Sequence, residues 1–203
     1  MLPLFFSLII FLTPHALLSH EAEFSEGRTY IPMEVAIFGG GCFWNTEAVF
    51  ENLPGVKSAV NGYMGGKETS PTYKNVMDGK NGHVQVTRVT FDPRVVHYKS
   101  LLKLYWRNID PTSINRQFND IGSQYRTVIL YTSNVQRKAA IESKKELIES
   151  QKFTSSIVTE IRSASEFHEA EPEHQNYMKK NPIKYKYYHI SSGRLRSLKQ
   201  IWR

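Results

Sequence analysis

Val35-Ala36-Ile37-Phe38-Gly39-Gly40-Gly41-Cys42-Phe43-Trp44 runs from an apolar stretch through three glycines to a cysteine and two large aromatics. The apolar part is short, as a buried strand is, and predicts a strand over 34–38. Glycines let the backbone turn sharply and pass close to another group. Beyond them Phe43, Glu47 and Phe50 recur at helical spacing, which predicts a helix over 42–53. Cys42 therefore stands at a strand-to-helix turn. Unpaired N–H groups and the helix dipole at that point favour a thiolate, so the expectation is a nucleophilic or redox cysteine.

Working outward, residues 56–63 predict a strand that ends in the loop Gly62-Tyr63-Met64-Gly65-Gly66, and 72–76 a helical turn after Pro71. Residues 83–91 read as a strand. Its apolar positions slip phase between Val84, Val86 and Val89, Phe91, which predicts a bulge near Thr87-Arg88. Tyr98, Leu101, Leu102, Tyr105 and Ile109 form a helical stripe. A strand over 125–131 follows, then a long helix from Asn134 as N-cap to Gln151, with Ala140, Ile141, Leu147 and Ile148 inward. A strand over 157–161 and a short helix from Pro172 through Met178 complete the order. Strands and helices mix without a strict βαβ rhythm, so the class is α+β.

The chain has 203 residues and a formal charge of +7, concentrated near the C-terminus. Lysines and arginines interleave there with Tyr185, Tyr187 and Tyr188. That pattern suits nucleic acid, but a solvated basic surface or docking for an acidic partner is the preferred reading. At the other end residues 4–12 are apolar apart from Ser7, Pro14 breaks the run, and Ser19 and Ala22 are small. We expect a secretory signal peptide over 1–22, although no Lys or Arg precedes the apolar run. A loose segment over 23–32 and one domain over 33–203 would follow. An uncleaved membrane anchor and an unusual core helix are the alternatives. Export sharpens the position of Cys42, the only cysteine in the sequence. In an oxidising compartment cysteines usually pair, and this one has no partner in its own chain.

Metal and nucleotide sites are not expected. His168 and His174 flank Pro172 and do not share one helix face, no HExxH pattern is present, and the glycine run lacks the G-x-G-x-x-G spacing. The polar stretch Asp120-Ile121-Gly122-Ser123-Gln124-Tyr125-Arg126 runs into an apolar strand and can present Asp120 and Tyr125 to a cleft; read alone, it is a turn with Asp120 capping backbone N–H groups. Tyr73, after Pro71-Thr72, reads alone as packing.

Together these segments resemble one family, the peptide methionine sulfoxide reductases of type A. Gly41-Cys42-Phe43-Trp44 with Glu47, Gly62-Tyr63-Met64-Gly65-Gly66, Pro71-Thr72-Tyr73, Gly82-His83-Val84, the stretch from Asp120 to Arg126, and His174-Gln175-Asn176-Tyr177 match family segments in order. The resemblance implies an α+β two-layer sandwich around a mainly antiparallel sheet with a ferredoxin-like core. It implies that Cys42 attacks the sulfur of oxidised methionine, S epimer, and becomes a sulfenic acid. Phe43 and Trp44 would receive the S-methyl group. Tyr73, Asp120 and Tyr125 would surround the oxygen, which must gain protons as it leaves.

The sequence departs from the family twice. Where Gly-His-Ala-Glu is common, this chain has Gly82-His83-Val84-Gln85. Gln85 can donate a hydrogen bond but delivers no proton. A lost acid costs about 10²–10⁴-fold where nothing substitutes, so retained but reduced activity is expected. Where many relatives carry a resolving cysteine, this chain has Ser191-Ser192-Gly193-Arg194. The sulfenic acid would then be reduced by an external thiol, a thioredoxin-like protein or a small thiol. No bound cofactor, no nucleic-acid partner, no stable membrane association after leader cleavage and a monomeric state are expected. The rival functions are an impaired binder of oxidised methionine, with Gln85 as its mark, and a thiol peroxidase or redox sensor, which gives no reason for the aromatic wall.

Overall fold

The computed structural model describes residues 31–202, so the leader expected over 1–22 lies outside the described residues. The elements are β1 (Glu34–Gly39), α1 (Phe43–Phe50), β2 (Val56–Met64), α2 (Tyr73–Met77), β3 (Val84–Phe91), α3 (Tyr98–Arg107), β4 (Arg116–Gln117), β5 (Asp120–Ile121), β6 (Val128–Tyr131), α4 (Asn134–Glu149), β7 (Glu160–Ser163), β8 (His168–Glu169), α5 (Tyr177–Lys180), α6 (Pro182–Ser191) and α7 (Arg194–Ile201). Six strands form one open sheet in the order β7-β6-β1-β3-β2-β8. Neighbours pair antiparallel except β6 and β7, which are parallel. The fold is α+β on a mostly antiparallel sheet, as expected.

Strand alternation sends two different sets of apolar side chains to the two faces. Ala36, Phe38, Val89, Phe91 and Ile129 pack against Phe50 of α1, Leu101, Leu102 and Tyr105 of α3, and Ala140 of α4. Phe38 is the centre of this layer, with ring centroids 5.1 Å from Phe50 and 5.0 Å from Tyr105. Ile37, Met64, Val84, Val86, Val128 and Leu130 face the other way, against Ala164 and Phe167. Each buried large apolar side chain is worth about 1.5–3 kcal/mol. That outweighs the ~0.5–1 kcal/mol that a glycine costs in a regular element.

The two-sided core corrects the expected bulge at Thr87-Arg88. The β1–β3 register runs unbroken from Glu34↔Phe91 to Phe38↔Thr87, and the irregularity lies on β2 between Val56 and Ser58. Val84 and Val86 serve one face while Val89 and Phe91 serve the other, so the apolar pattern changes phase without an inserted residue. The long helix is capped by Ser133, whose hydroxyl accepts the Gln136 N–H at 3.2 Å, rather than by Asn134. Its inward stripe runs through Gln136, Ala140 and Leu147; Ile141 and Ile148 are 46% and 53% exposed. Ile141 is one residue, and so about 100° of helix turn, past Ala140. Residues 123–125 form a 3₁₀ turn before β6, and β7 begins only at Glu160, because the Val158 N–H bonds to Pro111 O instead of the ladder. After Pro172–His174, a single 3₁₀ turn, Asn176 takes a left-handed φ of 53° and interrupts the helix expected through Met178.

Candidate active site

The glycine run is required by close approach. A Cβ on Gly39 would meet Val128 at 2.9 Å and Val84 at 3.0 Å, and one on Gly40 would meet Ile109 at 2.7 Å. Gly41 has φ +86°, a conformation that L side chains rarely adopt. The Gly39 carbonyl accepts the Tyr105 hydroxyl at 2.8 Å, and the Gly41 N–H bonds to Tyr125 O at 3.1 Å. This turn delivers Cys42 as the N-cap of α1, with extended backbone, its carbonyl accepting the Asn45 N–H at 3.1 Å.

The expected thiolate is not what the surroundings favour. Cys42 is 4% exposed, and burial, reinforced by the nearby Asp120 charge, pushes its thiol up to about 12. The Trp44 N–H, the Tyr188 hydroxyl and the Arg194 charge oppose the shift without cancelling it. Desolvation therefore outweighs the helix terminus, and the resting side chain is a thiol.

Two aromatic layers stand beside it. Phe43 is fully buried, with ring centroids 5.8 Å from Tyr63, 6.3 Å from Tyr73 and 5.6 Å from His174. Trp44, half-buried, stacks on Tyr177 at 3.7 Å and 5°, and meets Tyr188 edge-on at 5.5 Å. Its indole N–H donates to His174 Nδ1 at 3.3 Å, and Tyr73 stacks on the same imidazole at 4.2 Å. Burial holds His174 below its ordinary pKa despite Glu171 and Glu173, so the ring stays neutral and able to accept. Tyr73 sits where Thr72 caps α2, and its N–H donates to Glu171 Oε1 at 2.7 Å.

Glu47 anchors this wall from below. Its carboxylate, on a residue 1% exposed, accepts the N–H groups of Asn176 at 2.6 Å and Tyr177 at 3.0 Å. These donors begin α5, which supplies no cap of its own. Glu47→Ala leaves two part-buried donors without their acceptor, at ~1–3 kcal/mol each. We expect a loss of about 2–5 kcal/mol in chemical denaturation. Glu47→Gln, which keeps one acceptor, is expected to recover part of it.

The last two helices, α6 and α7, contribute residues that sequence reasoning did not place in the site. The Tyr188 hydroxyl of α6 donates to Asp120 Oδ2 at 2.5 Å, and the side chain packs against the cluster that holds Cys42. Burial raises the Asp120 pKa against the opposing Tyr188, Arg194 and Cys42 N–H interactions. Asn45 ties α6 down, donating to the Tyr188 hydroxyl at 3.4 Å and accepting from Tyr185 at 3.3 Å. Arg194 is 2% exposed; its guanidinium donates to Gly40 O at 2.7 Å and to Asn108 O, over the Phe118 ring at 5.0 Å. Its charge thus faces the glycine turn, Cys42 and Asp120. The adjacent Ser192, the residue at the expected resolving position, is 4% exposed and donates to His189 O at 3.0 Å.

Gln85, on central β3, is fully buried. Its Oε1 accepts the Phe43 N–H at 3.1 Å, which puts it next to the cysteine. Its Nε2 donates to Met77 Sδ at 3.4 Å, and the Tyr125 hydroxyl donates to the same sulfur at 3.2 Å. All the candidates from the sequence, Cys42, Phe43, Trp44, Tyr73, Gln85, Asp120 and Tyr125, therefore meet around one sulfur. Tyr188, Arg194, His174 and Met77 are the additions. His174 lay in a segment already noticed, and Arg194 in the Ser-Gly-Arg stretch. Met77 and Tyr188 gave no separate signal.

The chain is similar to known proteins of one family. The family model for peptide methionine sulfoxide reductase matches residues 34–203. The chain is 52% identical over 149 residues to the peptide methionine sulfoxide reductase MsrA of Methanothermobacter thermautotrophicus, covering 73% of this chain and 88% of the relative. Among solved structures, reduced Mxr1 from Saccharomyces cerevisiae superposes with a TM-score of 0.70 at 31% identity, over 76% of this chain and 90% of Mxr1. Mxr1 in complex with Trx2 shares the fold with a TM-score of 0.51 at 21% identity, over 75% of this chain and 91% of that one. With its ordered motifs, its sheet and its cysteine turn all accounted for, the chain belongs to the peptide methionine sulfoxide reductase family.

Proposed function

We propose that this chain reduces the S epimer of methionine sulfoxide, free or in oxidised proteins, with Cys42 as nucleophile and Asp120 as its base through Tyr188. The observation that carries this is Tyr188, packed in one cluster with Cys42 and donating its hydroxyl to Asp120 Oδ2 at 2.5 Å. A thiol held near 12 must lose its proton as it attacks. The carboxylate, reached through Tyr188, takes that proton and holds it for the departing oxygen. Cys42 sulfur gives two electrons to the sulfoxide sulfur, the substrate S–O bond breaks, and a Cys42 S–O bond forms. The products are methionine and a sulfenic acid, with no net proton consumed. Tyr73, Tyr125 and the Gln85 amide stand as hydrogen-bond donors for the oxygen, and Trp44, backed by buried Phe43, receives the methyl group.

The lone cysteine supports regeneration by an external thiol. That thiol attacks the sulfenic acid, releasing water and leaving a mixed disulfide, and a second thiol frees Cys42. A thioredoxin-like donor is supported by the complex of the yeast relative Mxr1 with Trx2. The apolar run over 4–12 supports export through a leader. A mature N-terminus near Ser19–Ala22 in the exported protein is the expected result, and an intact Met1 there contradicts it. A peroxide-sensing role is disfavoured because sensor cysteines are accessible and of low pKa, whereas Cys42 is neither.

Gln85→Glu tests the assignment of the oxygen side. A carboxyl there keeps the acceptor for the Phe43 N–H and adds an acid. We expect the reductive step to accelerate by about 10-fold or more. An unchanged single-turnover rate would contradict a role for residue 85 at the oxygen.

A further inference from the structure

We propose that Met77 is a peroxide-responsive modification site built into the oxygen side of the pocket, where its sulfoxide would capture the two donors that the substrate oxygen needs. Met77 closes α2 and is half-buried in the cluster of Cys42, Phe43 and Tyr125. Its Sδ is the acceptor shared by the Tyr125 hydroxyl at 3.2 Å and the Gln85 Nε2 at 3.4 Å. Gln85 is fully buried and Tyr125 is 7% exposed, so water has little access to either donor. A thioether is a weak acceptor, so both donors can turn from it to an incoming sulfoxide oxygen at small cost. In the resting site the methionine keeps them oriented.

Met77 is only half-buried, which leaves the side chain open to a small oxidant. With hydrogen peroxide as oxidant, a sulfur lone pair attacks one peroxide oxygen. The O–O bond breaks, an S–O bond forms, and the departing hydroxide takes the proton of the transferred oxygen and leaves as water. The sulfur loses two electrons and the peroxide gains them. The new oxygen is a strong acceptor on the atom that Tyr125 and Gln85 already address, and the side chain becomes polar. The pocket then holds a sulfoxide of its own, and a substrate must compete with it for both donors. The inference rests on Tyr125 and Gln85 serving the substrate oxygen as proposed above.

The test treats the full-length protein with a graded dose of hydrogen peroxide, restores Cys42 with dithiothreitol, maps oxygen addition by peptide mass, and measures kcat/KM on a methionine sulfoxide peptide. Untreated protein assayed in parallel must turn over, which separates a failure of the reductase assignment from a failure of the switch. The expected result is a gain of one oxygen on Met77 and a fall in kcat/KM of about 10-fold or more, in step with it. Met77→Leu should keep its own kcat/KM through the same treatment, and Met77→Gln, which presents a permanent strong acceptor, should match the oxidised protein without peroxide. The proposal is overturned if Met77 stays unmodified at a dose that oxidises Met33, the half-buried methionine just before β1, or if Met77 sulfoxide forms and kcat/KM does not change.

Discussion

Cys42→Ser is expected to abolish turnover of methionine sulfoxide, by more than about 10⁴-fold in kcat, while leaving the fold intact. Serine is close in size, and the turn that presents it is set by Gly39, Gly40 and Gly41, not by the sulfur. The hydroxyl oxygen cannot be oxidised in place of sulfur, so the two electrons that the substrate needs have no source. Steady-state assay with dithiothreitol, together with an unchanged circular dichroism spectrum and melting temperature, checks both halves. Residual activity within about 100-fold of the native chain would mean that another group reduces the substrate.

The second large effect concerns the proton. Asp120→Asn and Tyr188→Phe are each expected to slow the reductive step by about 10²–10⁴-fold, because each breaks the proposed path from the thiol to the carboxylate. The two side chains act as one relay, so the double variant should cost little more than the worse single one. Additive losses would show that they act independently. The pH profile gives the sign. The relay needs Asp120 ionised, and burial raises its pKa. The single-turnover rate should therefore be full above that raised value and fall as pH drops through it. No further rise is expected toward high pH, because Cys42 stays a thiol up to about 12. In Asp120→Asn the low-pH fall should vanish. A native profile that climbs through the ordinary thiol range would instead mark a free thiolate as the reacting form.

How much of this was legible in the sequence depends on the distance over which each residue acts. The strand–glycine–helix turn around Cys42 is local, and the apolar run, the glycines and the helical spacing disclosed it. The identities of Tyr73, Asp120 and Tyr125 came from ordered motifs, and the fold brings them together. The protonation state of Cys42 was misjudged. The helix N-terminus is written in the local sequence, but its burial depends on α6, more than a hundred residues away. Tyr188 is one of several tyrosines in a basic segment, and nothing in its spacing distinguishes the one that reaches Asp120 from exposed Tyr187. The bulge expected in β3 failed for a related reason. A strand covered on both faces carries apolar residues in both phases, and a single sequence does not say which strands are covered twice.

The central claim is that one thiol, Cys42, takes the oxygen from the substrate and waits for an outside reductant. The most direct measurement is an anaerobic single turnover of a peptide bearing stereochemically pure S-methionine sulfoxide, without added thiol, followed by intact mass and peptide mapping. One methionine formed per protein, with the chain heavier by one oxygen located on Cys42, is the predicted result, and the R epimer should give none. Methionine formed while Cys42 keeps its reduced mass, or a Cys42–Cys42 dimer as the main product, would contradict it.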